Sequence, residues 1–302
     1  MPASSLPELD EELRDRLRRR FGNAVDSWLD GLPAVLEDVA DRWGVEFGTL
    51  IQRGSMSVVI RCRAADGRGT VLKASPERRR IAHEAAALMR WSTAPVPAVL
   101  AVDEQAGALL MEAIEPGTPI AESAGYPSAE SIASLLSGLH AGAVADPVFQ
   151  SVSDRICYLF HSGTRNYERR PDLAEVVSPD LYERGRRLAL RLAAESSPIV
   201  PLHGDLTAVN VLDGGKRGLV AIDPAPCLGD PAFDAVDLVF WRAGSVVTIA
   251  DRAREFAAAL EVDPGRLMDW CAAFAAMVAL EIAEAGGSRG QVAPFLEFAA
   301  RA

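Results

Sequence analysis

The segment VPLHGDLTAVNVLDGGKRGLVAIDP, residues 200–224, places Asp205, Asn210 and Asp223 among strand-forming apolar residues. Carboxylates are costly to remove from water unless a cation or a proton transfer uses them. Short apolar runs on both sides of the turn DGGKRG predict a strand pair that presents these three polar side chains together. The segment is therefore either a catalytic loop or an ordinary polar turn, and the rest of the chain decides between the two.

The composition is that of a globular protein that dissolves in water. The 302 residues are 49% hydrophobic and 24% charged, and the formal net charge is -11. The length suits one large domain or two lobes. The acidic balance argues against sequence-independent binding of nucleic acid, which requires a basic surface. It is compatible with a cationic small-molecule partner, although an acidic surface more often serves solubility alone.

The chain carries no sign of export or membrane insertion. Its N-terminal residues lack the apolar core of a secretory signal, and no window approaches the roughly 20 apolar residues of a membrane span. The four cysteines have neither metal-site nor disulfide-framework spacing. We therefore expect a cytoplasmic protein with reduced thiols and without a membrane partner.

The apolar pattern changes near residues 115–119, from a β-rich part to an α-rich part. Amphipathic helices are predicted over residues 6–21 and 24–43, and strand-like runs with one inserted helix follow. A cleft between two such parts is a usual place for a ligand. The predicted domains are an N-terminal helical segment that packs on the small lobe (1–45), a β lobe (46–113) and a larger helical lobe (114–302). Further helices are predicted over residues 150–162, 179–195, 251–261 and 264–285.

Lysine is rare in this chain, because Lys73 and Lys216 are the two lysines among 31 basic residues. Lys73 ends the hydrophobic run TVLK, and Glu84 follows eleven residues later on the next predicted helix. A strand lysine held by a helical carboxylate is how phosphotransferases fix a cation against the phosphates of ATP. Taken alone, Lys73 is explained equally well as the surface residue at the end of a strand. Lys216 lies in a turn, and the role of a solvated loop residue is enough to explain it.

The segment of residues 200–224 has the side chains that phosphoryl transfer requires. Such chemistry needs a carboxylate that orients the attacking hydroxyl and oxygen ligands that hold Mg²⁺ on the phosphates. Asp205 suits the first role, and Asn210 and Asp223 suit the second. The glycine turn RGSMS, residues 53–57, is compatible with phosphate binding, but a hairpin uses glycine without any ligand. Together with the strand lysine, the spacing H-G-D-x4-N favours ATP-dependent phosphoryl transfer.

The segment HGDLTAVNVL…VAIDP resembles the signature of aminoglycoside phosphotransferases, which are relatives of protein kinases. The resemblance extends to the branch of streptomycin 6-kinases and hydroxyurea kinases. It is carried, from about Trp28 onward, by W-x2-GLP, DRWG, VLK, LLMEAIEPG and IDPAPCLGDPAFDAVDL in the same order. It implies an α+β, two-lobed, protein-kinase-like fold, in which a small antiparallel β lobe with one helix precedes a larger, mainly α-helical lobe. It also implies ATP and Mg²⁺ as cofactors.

The resemblance implies a role for each matching residue. Asp205 would be the catalytic base, Asn210 a metal ligand, and Asp223 the Mg²⁺ ligand that bridges the ATP phosphates. Lys73, paired with Glu84, would contact the α- and β-phosphates. The remaining nucleotide contacts would come from Gly54, Ser55 and Ser57 over the triphosphate, and from the Glu112 carbonyl and the Ile114 amide at the adenine edge.

The acceptor side departs from the family pattern at Thr207, where many relatives have a histidine. His203 is expected to brace the loop by hydrogen bonds rather than to carry protons. The stretch GDPAFDAVDL spaces its aspartates, Asp237 among them, almost as a helix would. Guanidinium or ammonium groups of an acceptor are candidate partners of four carboxylates: Asp230, Asp234, Glu281 and Glu284. Helix caps and solvated faces explain each of them separately as well.

The sequence thus predicts an ATP- and Mg²⁺-dependent O-phosphotransferase that inactivates a small-molecule antibiotic. The acceptor is expected to be cationic and streptomycin-like, or else hydroxyurea. Two alternatives stay open: a kinase of the same fold that acts on an endogenous metabolite or biosynthetic intermediate, and a nucleotide-binding regulator without catalysis. The presence of Lys73, Glu84, Asp205, Asn210 and Asp223 together argues against the regulator. Monomer and homodimer are both compatible with the sequence.

Overall fold

The computed structural model describes residues 5–52, 56–91, 95–141, 149–196 and 198–302. The chain divides into two compact units. The first, the sheet unit, comprises the described residues up to Gly117, apart from Pro95, together with the short segment Asp213–Gly215. The second, the helical unit, comprises Pro95 and the remaining described residues from Thr118 onward. The N-terminal helical segment therefore belongs to the same unit as the sheet.

The sheet unit is built on a five-stranded antiparallel sheet in the order β1-β2-β3-β5-β4. Its strands are β1 (Val45–Leu50), β2 (Val58–Ala64), β3 (Gly69–Ala74), β4 (Val99–Asp103) and β5 (Ala108–Glu112). Helix α3 (Arg78–Arg90) is inserted between β3 and β4. The register places Lys73 of β3 between Val59 of β2 and Leu109 of β5. The lysine is thus held in the middle of the sheet rather than at an edge.

Two N-terminal helices, α1 (Glu11–Phe21) and α2 (Val25–Trp43), share one hydrophobic core with this sheet. The Asp10 side chain caps α1 by accepting a hydrogen bond from the Leu13 amide. Gly44 ends α2 with a left-handed φ of 64°, which costs glycine little. The shared core is formed by leucines from the helices and by β-branched and leucine residues from the strands, among them Leu17, Leu29, Leu36, Val58, Ile60 and Leu72.

The helical unit contains the other seven α-helices of the described residues. They are α4 (Ala129–Ala141), α5 (Val152–Arg169), α6 (Pro179–Ala194), α7 (Val236–Phe240), α8 (Val246–Leu260), α9 (Pro264–Glu284) and α10 (Arg289–Ala299). Helix α9 is the centre of the unit, because it packs against α5, α6, α7, α8 and α10. A side chain at Gly185 of α6 would come within 2.4 Å of the Ala273 carbonyl, so glycine permits the close approach of α6 and α9. Among the described residues, no helix has the length and apolar character needed to cross a bilayer.

Two small sheets position the segment of residues 200–224, which carries Asp205, Asn210 and Asp223. A three-stranded sheet has the order β6-β10-β7, with β6 (Gln150–Ser151), β7 (Val200–Leu202) and β10 (Cys227–Gly229). The predicted strand pair on either side of the DGGKRG turn corresponds to β8 (Val211–Asp213) and β9 (Leu219–Ala221). The three-stranded sheet was not predicted, since strands of two or three residues are too short to give a periodic signal.

Candidate active site

The loop that follows β7 carries Asp205. Gly204 has a φ of +76°, and a Cβ atom there would lie 2.1 Å from the Ala225 carbonyl oxygen. Both the backbone conformation and the close approach therefore require glycine. The tight turn lets the chain leave the buried strand and place the Asp205 side chain at the wall of a cavity.

His203 is buried and braces this loop through both ring nitrogens. Its Nε2 lies 2.9 Å from the Ile222 carbonyl oxygen, and its Nδ1 lies 3.3 Å from the Asp205 amide. A carbonyl requires a donor and an amide requires an acceptor, so these contacts assign the neutral ring with its proton on Nε2. Burial lowers the pKa of His203, which agrees with that neutral form. His203 is therefore a brace and not a proton carrier.

Asp234 holds the same loop from the other side. Its carboxylate accepts hydrogen bonds from the His203 amide at 2.8 Å and from the Gly204 amide at 2.9 Å, and it lies 3.2 Å from Nε2 of His140. Burial opposes ionisation, but the hydrogen bond from His140 and these amides outweighs it, and the pKa of Asp234 stays below its usual value. The carboxylate proposed from sequence as an acceptor contact is engaged here in fixing the backbone around Asp205.

Two more of the carboxylates singled out in the sequence are also engaged by protein groups. Asp230 accepts hydrogen bonds from Nε of Arg266 at 2.6 Å and from the indole of Trp270 at 2.9 Å. Glu284 accepts a hydrogen bond from the Asn166 amide. Asp230 and Glu284 thus join helices of the helical unit, whereas Glu281 alone of the four lines the cavity without such a partner among the described residues.

Asn210 and Asp223 are brought together by the β8–β9 hairpin. The Asn210 carbonyl accepts a hydrogen bond from the Ile222 amide at 2.9 Å, so Asp223 follows the residue paired with Asn210. The Asn210 side-chain amide donates to the Asp205 carbonyl at 2.9 Å and to its carboxylate at 3.2 Å. Its amide nitrogen is used in this way, which leaves its oxygen as a ligand atom.

Asp223 has a left-handed φ of 57°, a conformation that is uncommon for residues with a side chain and concentrates at functional sites. An amide oxygen and a carboxylate are the hard oxygen ligands that Mg²⁺ prefers. The residues present therefore fit a magnesium ion.

In the sheet unit, Lys73 and Glu84 form a buried ion pair. The Lys73 ammonium lies 2.8 Å from each carboxylate oxygen of Glu84, and both side chains are 2% exposed. Strand β3 carries the lysine and α3 carries the glutamate, so the Lys73 ammonium is held in place and does not move as a surface side chain would. A buried ion pair is weak evidence for stability.

The other predicted nucleotide contacts lie around the same sheet. Ser57 is buried beside β2, while Gly54 and Ser55 lie outside the described residues. Glu112 ends β5, and its side chain accepts a hydrogen bond from the Ala98 amide at 3.1 Å. Ile114 is buried two residues beyond. Their contacts with an adenine ring stay predictions.

A cavity of about 110 Å³ opens beside Asp205 within the helical unit. Its lining includes the loop residues Asp205 and Thr207, Asp237 of α7, and Phe274 and Glu281 of α9. The Thr207 hydroxyl oxygen is buried and has no hydrogen-bond partner among the described residues. An unpaired buried hydroxyl costs free energy.

Asp237 and Glu281 are two further acidic side chains of the cavity wall, which Asp205 and Asp234 also line. No hydrogen bond or ion pair joins either carboxylate to a described protein group. The surrounding protein and repulsion by Glu281 and Asp205 raise the pKa of Asp237 to about 7, although water in the open cavity still reaches it. The surrounding protein and repulsion by Glu284 and Asp205 likewise raise the pKa of Glu281, although this side chain is also reached by water. A cation bound between these carboxylates would remove the repulsion.

The chain is a phosphotransferase with a protein-kinase-like fold, and its sequence places it in one family of that class. It belongs to the aminoglycoside/hydroxyurea antibiotic resistance kinase family, whose model matches residues 42–286. The family and the fold predicted from the sequence are thereby confirmed.

Two relatives illustrate the range of acceptors in this family. The chain is 27% identical over 265 residues to streptomycin 6-kinase of Streptomyces glaucescens, with 84% of this chain and 81% of the relative covered. It is 28% identical over 254 residues to hydroxyurea phosphotransferase of Kitasatospora aureofaciens, with 79% and 70% covered.

The fold itself is shared more widely. The crystal structure of a choline kinase from Streptococcus pneumoniae matches with a TM-score of 0.61 at 15% identity, over 89% of this chain and 98% of that one. The fold is thus common to kinases that phosphorylate different acceptors, so the fold does not identify the acceptor and the residues of the cavity are the evidence for it.

Proposed function

We propose that the chain is an ATP- and Mg²⁺-dependent O-phosphotransferase that inactivates a streptomycin-like aminoglycoside by phosphorylating one of its hydroxyl groups. The observation that carries the proposal is the cavity, in which Asp205 shares the wall with the unpaired carboxylates of Asp237 and Glu281. A base for a hydroxyl and two partners for a cation thus line the same cavity.

On the donor side, the buried Lys73–Glu84 pair supports the ATP assignment. Lys73 would contact the α- and β-phosphates, and Glu84 would keep its ammonium group in place. Asn210 and Asp223 would hold Mg²⁺, which neutralises charge on the phosphates when it is bound. Ser57, together with Gly54 and Ser55, would cover the triphosphate.

On the acceptor side, Asp205 would orient the attacking hydroxyl and accept its proton as the phosphoryl group is transferred. His203 and Asp234 hold the loop rigidly, so the carboxylate does not need to be ordered when the acceptor arrives. Asp237 and Glu281 would bind a guanidinium or ammonium group of the same molecule. Because the cavity is small, one charged substituent would enter it and the rest of a large acceptor would stay outside.

Hydroxyurea is a second candidate acceptor, since a relative acts on it and the small volume of the cavity suits it. Hydroxyurea is neutral, however, and would leave the two carboxylates without a counter-charge. The charge of the cavity therefore favours the cationic acceptor.

The test is a mass-spectrometric assay for phosphorylated product with ATP, Mg²⁺ and either streptomycin or hydroxyurea. We expect phosphorylated streptomycin from the wild type and none from Asp205→Asn. A matched control is Asp251→Asn, which changes an exposed aspartate of α8 that pairs with Arg254, and it should keep full activity. The proposal fails if streptomycin gains no phosphate although nucleotide raises the thermal stability of the protein, and product from hydroxyurea alone would assign the second candidate instead.

A further inference from the structure

Arg155, in the first turn of α5, is a buried arginine that contacts the catalytic loop directly. Its Nε donates a hydrogen bond to the Gly204 carbonyl at 2.8 Å, and its Nη2 donates to Oδ1 of Asp205 at 2.9 Å. The arginine side chain is 9% exposed, whereas that of Asp205 is 36% exposed. One guanidinium thus holds the backbone and the side chain of two successive loop residues.

The fold fixes the position of Arg155 relative to this loop. A capping box of Ser151 and Asp154 starts α5 immediately before the arginine. Strand β6 ends at Ser151 and pairs with β10, which in turn pairs with β7. A side chain at Gly229 of β10 would overlap Val152, so the start of the helix lies directly against the small sheet. The helix that carries Arg155 and the loop that carries Asp205 are therefore anchored to the same three strands.

The carboxylate of Asp205 is held at both oxygens. Arg155 binds Oδ1, and the Asn210 amide lies 3.2 Å from Oδ2. Two donors at fixed positions leave the carboxylate little rotational freedom about its side-chain bonds. Ionisable groups among the described residues that interact electrostatically with Asp205 include Arg155, His203, Asp237 and Glu281. Of these, His203 is neutral and the other two are acidic, so the guanidinium supplies the counter-charge.

We propose that Arg155 is a positioning residue that aims the Asp205 carboxylate at the acceptor hydroxyl. The inference rests on the proposed function, because it takes Asp205 as the base. The forked guanidinium is needed for this role, since a lysine ammonium is a single point charge and does not span the carbonyl and the carboxylate with fixed geometry. A residue that serves stability alone would give way to lysine without a change in turnover.

The chain provides a matched control in Arg266 of α9. Like Arg155, it binds an aspartate carboxylate and a main-chain carbonyl, with 2.6 Å from its Nε to Asp230 and 2.6 Å from its Nη2 to Leu192. It does so away from Asp205. Replacement of either arginine by methionine therefore removes a similar pair of contacts from the helical unit.

The experiment compares Arg155→Met, Arg155→Lys and Arg266→Met with the wild type in steady-state phosphotransfer to streptomycin. We expect Arg155→Met to lower kcat about 10- to 100-fold, as misplacement of a reacting group does, with the KM for ATP unchanged. Arg155→Lys should recover the thermal stability but only part of kcat. Arg266→Met should lose stability and keep kcat.

Any of three results would overturn the role of Arg155. The first is wild-type kcat in Arg155→Met, and the second is full recovery of kcat in Arg155→Lys. The third is an equal loss of kcat in Arg155→Met and Arg266→Met. Basal hydrolysis of ATP, with water in place of the acceptor, separates this inference from the proposed function. If the wild type phosphorylates no acceptor, the acceptor assignment fails, and the same ordering of variants in ATP hydrolysis still decides the role of Arg155.

Discussion

Replacement of Lys73 by methionine is expected to destabilise the sheet unit strongly. The substitution removes the ammonium that lies 2.8 Å from both oxygens of Glu84 and leaves this glutamate as a charge that is 2% exposed. Breaking a buried pair by removing one partner typically costs about 3–5 kcal/mol, because the remaining charge keeps its desolvation cost and loses its ionic partner. Replacing both partners by apolar residues is often nearly neutral. The double variant Lys73→Met/Glu84→Met should therefore regain most of the lost stability.

Hydrogen exchange of the backbone amides of β2, β3 and β5 measures this change within the sheet unit. At about 1.4 kcal/mol for each factor of ten, Lys73→Met should accelerate exchange through global opening by about two to nearly four decades. The solvent-exposed pair of Arg68 with Asp66 provides the control, since Arg68→Met should leave exchange near the wild-type rate. An acceleration of less than tenfold in Lys73→Met, or a double variant less stable than the single one, would refute the reasoning.

Three further predictions concern the cavity and its loop. The pKa of Asp237 is raised to about 7, and a bound cation favours its ionised form, so the affinity for the acceptor should weaken as the pH falls below 7. Calorimetry in two buffers should also show that a proton is released when the acceptor binds. Asp237→Asn should abolish both effects. Thr207→Val removes a buried hydroxyl without a described partner, so it should leave thermal stability unchanged or raise it. An increase in the acceptor KM of this variant would assign the hydroxyl to the acceptor. A clear loss of thermal stability would contradict the unpaired state of the hydroxyl. Gly204→Ala should abolish turnover and lower the melting temperature, because its Cβ would meet the Ala225 carbonyl at 2.1 Å; normal turnover in this variant would show that the loop geometry is not required.

The fold could be predicted from the sequence where its signals are local and long. Strand-like runs with strong turns indicated the antiparallel sheet, and apolar periodicity indicated most helices. The sequence prediction of a helix over residues 150–162 nevertheless missed β6 at Gln150–Ser151 and ended before Arg169. Two residues carry no periodicity, and the prediction did not use Pro171, a stop signal two residues beyond the end of α5.

The pairing of Lys73 with Glu84 could be predicted from the sequence, because a strand lysine followed eleven residues later by a helical glutamate has a characteristic spacing. The acceptor side was harder, since a carboxylate has the same appearance in the sequence whether it binds a ligand or a protein donor. Asp230 and Asp234 turn out to be held by Arg266, Trp270 and backbone amides. Arg155 carried no signal at all, because fifty positions separate it from Asp205 and only the folded chain brings them together.

The central claim is that Asp205 supports phosphoryl transfer from ATP to a cationic acceptor. The most direct measurement is a single-turnover assay of wild type and Asp205→Asn, both saturated with ATP and Mg²⁺, in which phosphorylated streptomycin is quantified by mass spectrometry. We predict product from the wild type and a loss of at least about 10²-fold in rate for the variant, with the nucleotide-dependent rise in thermal stability retained. Equal rates in the two proteins, or nucleotide binding by the wild type without any transfer to streptomycin, would contradict the claim.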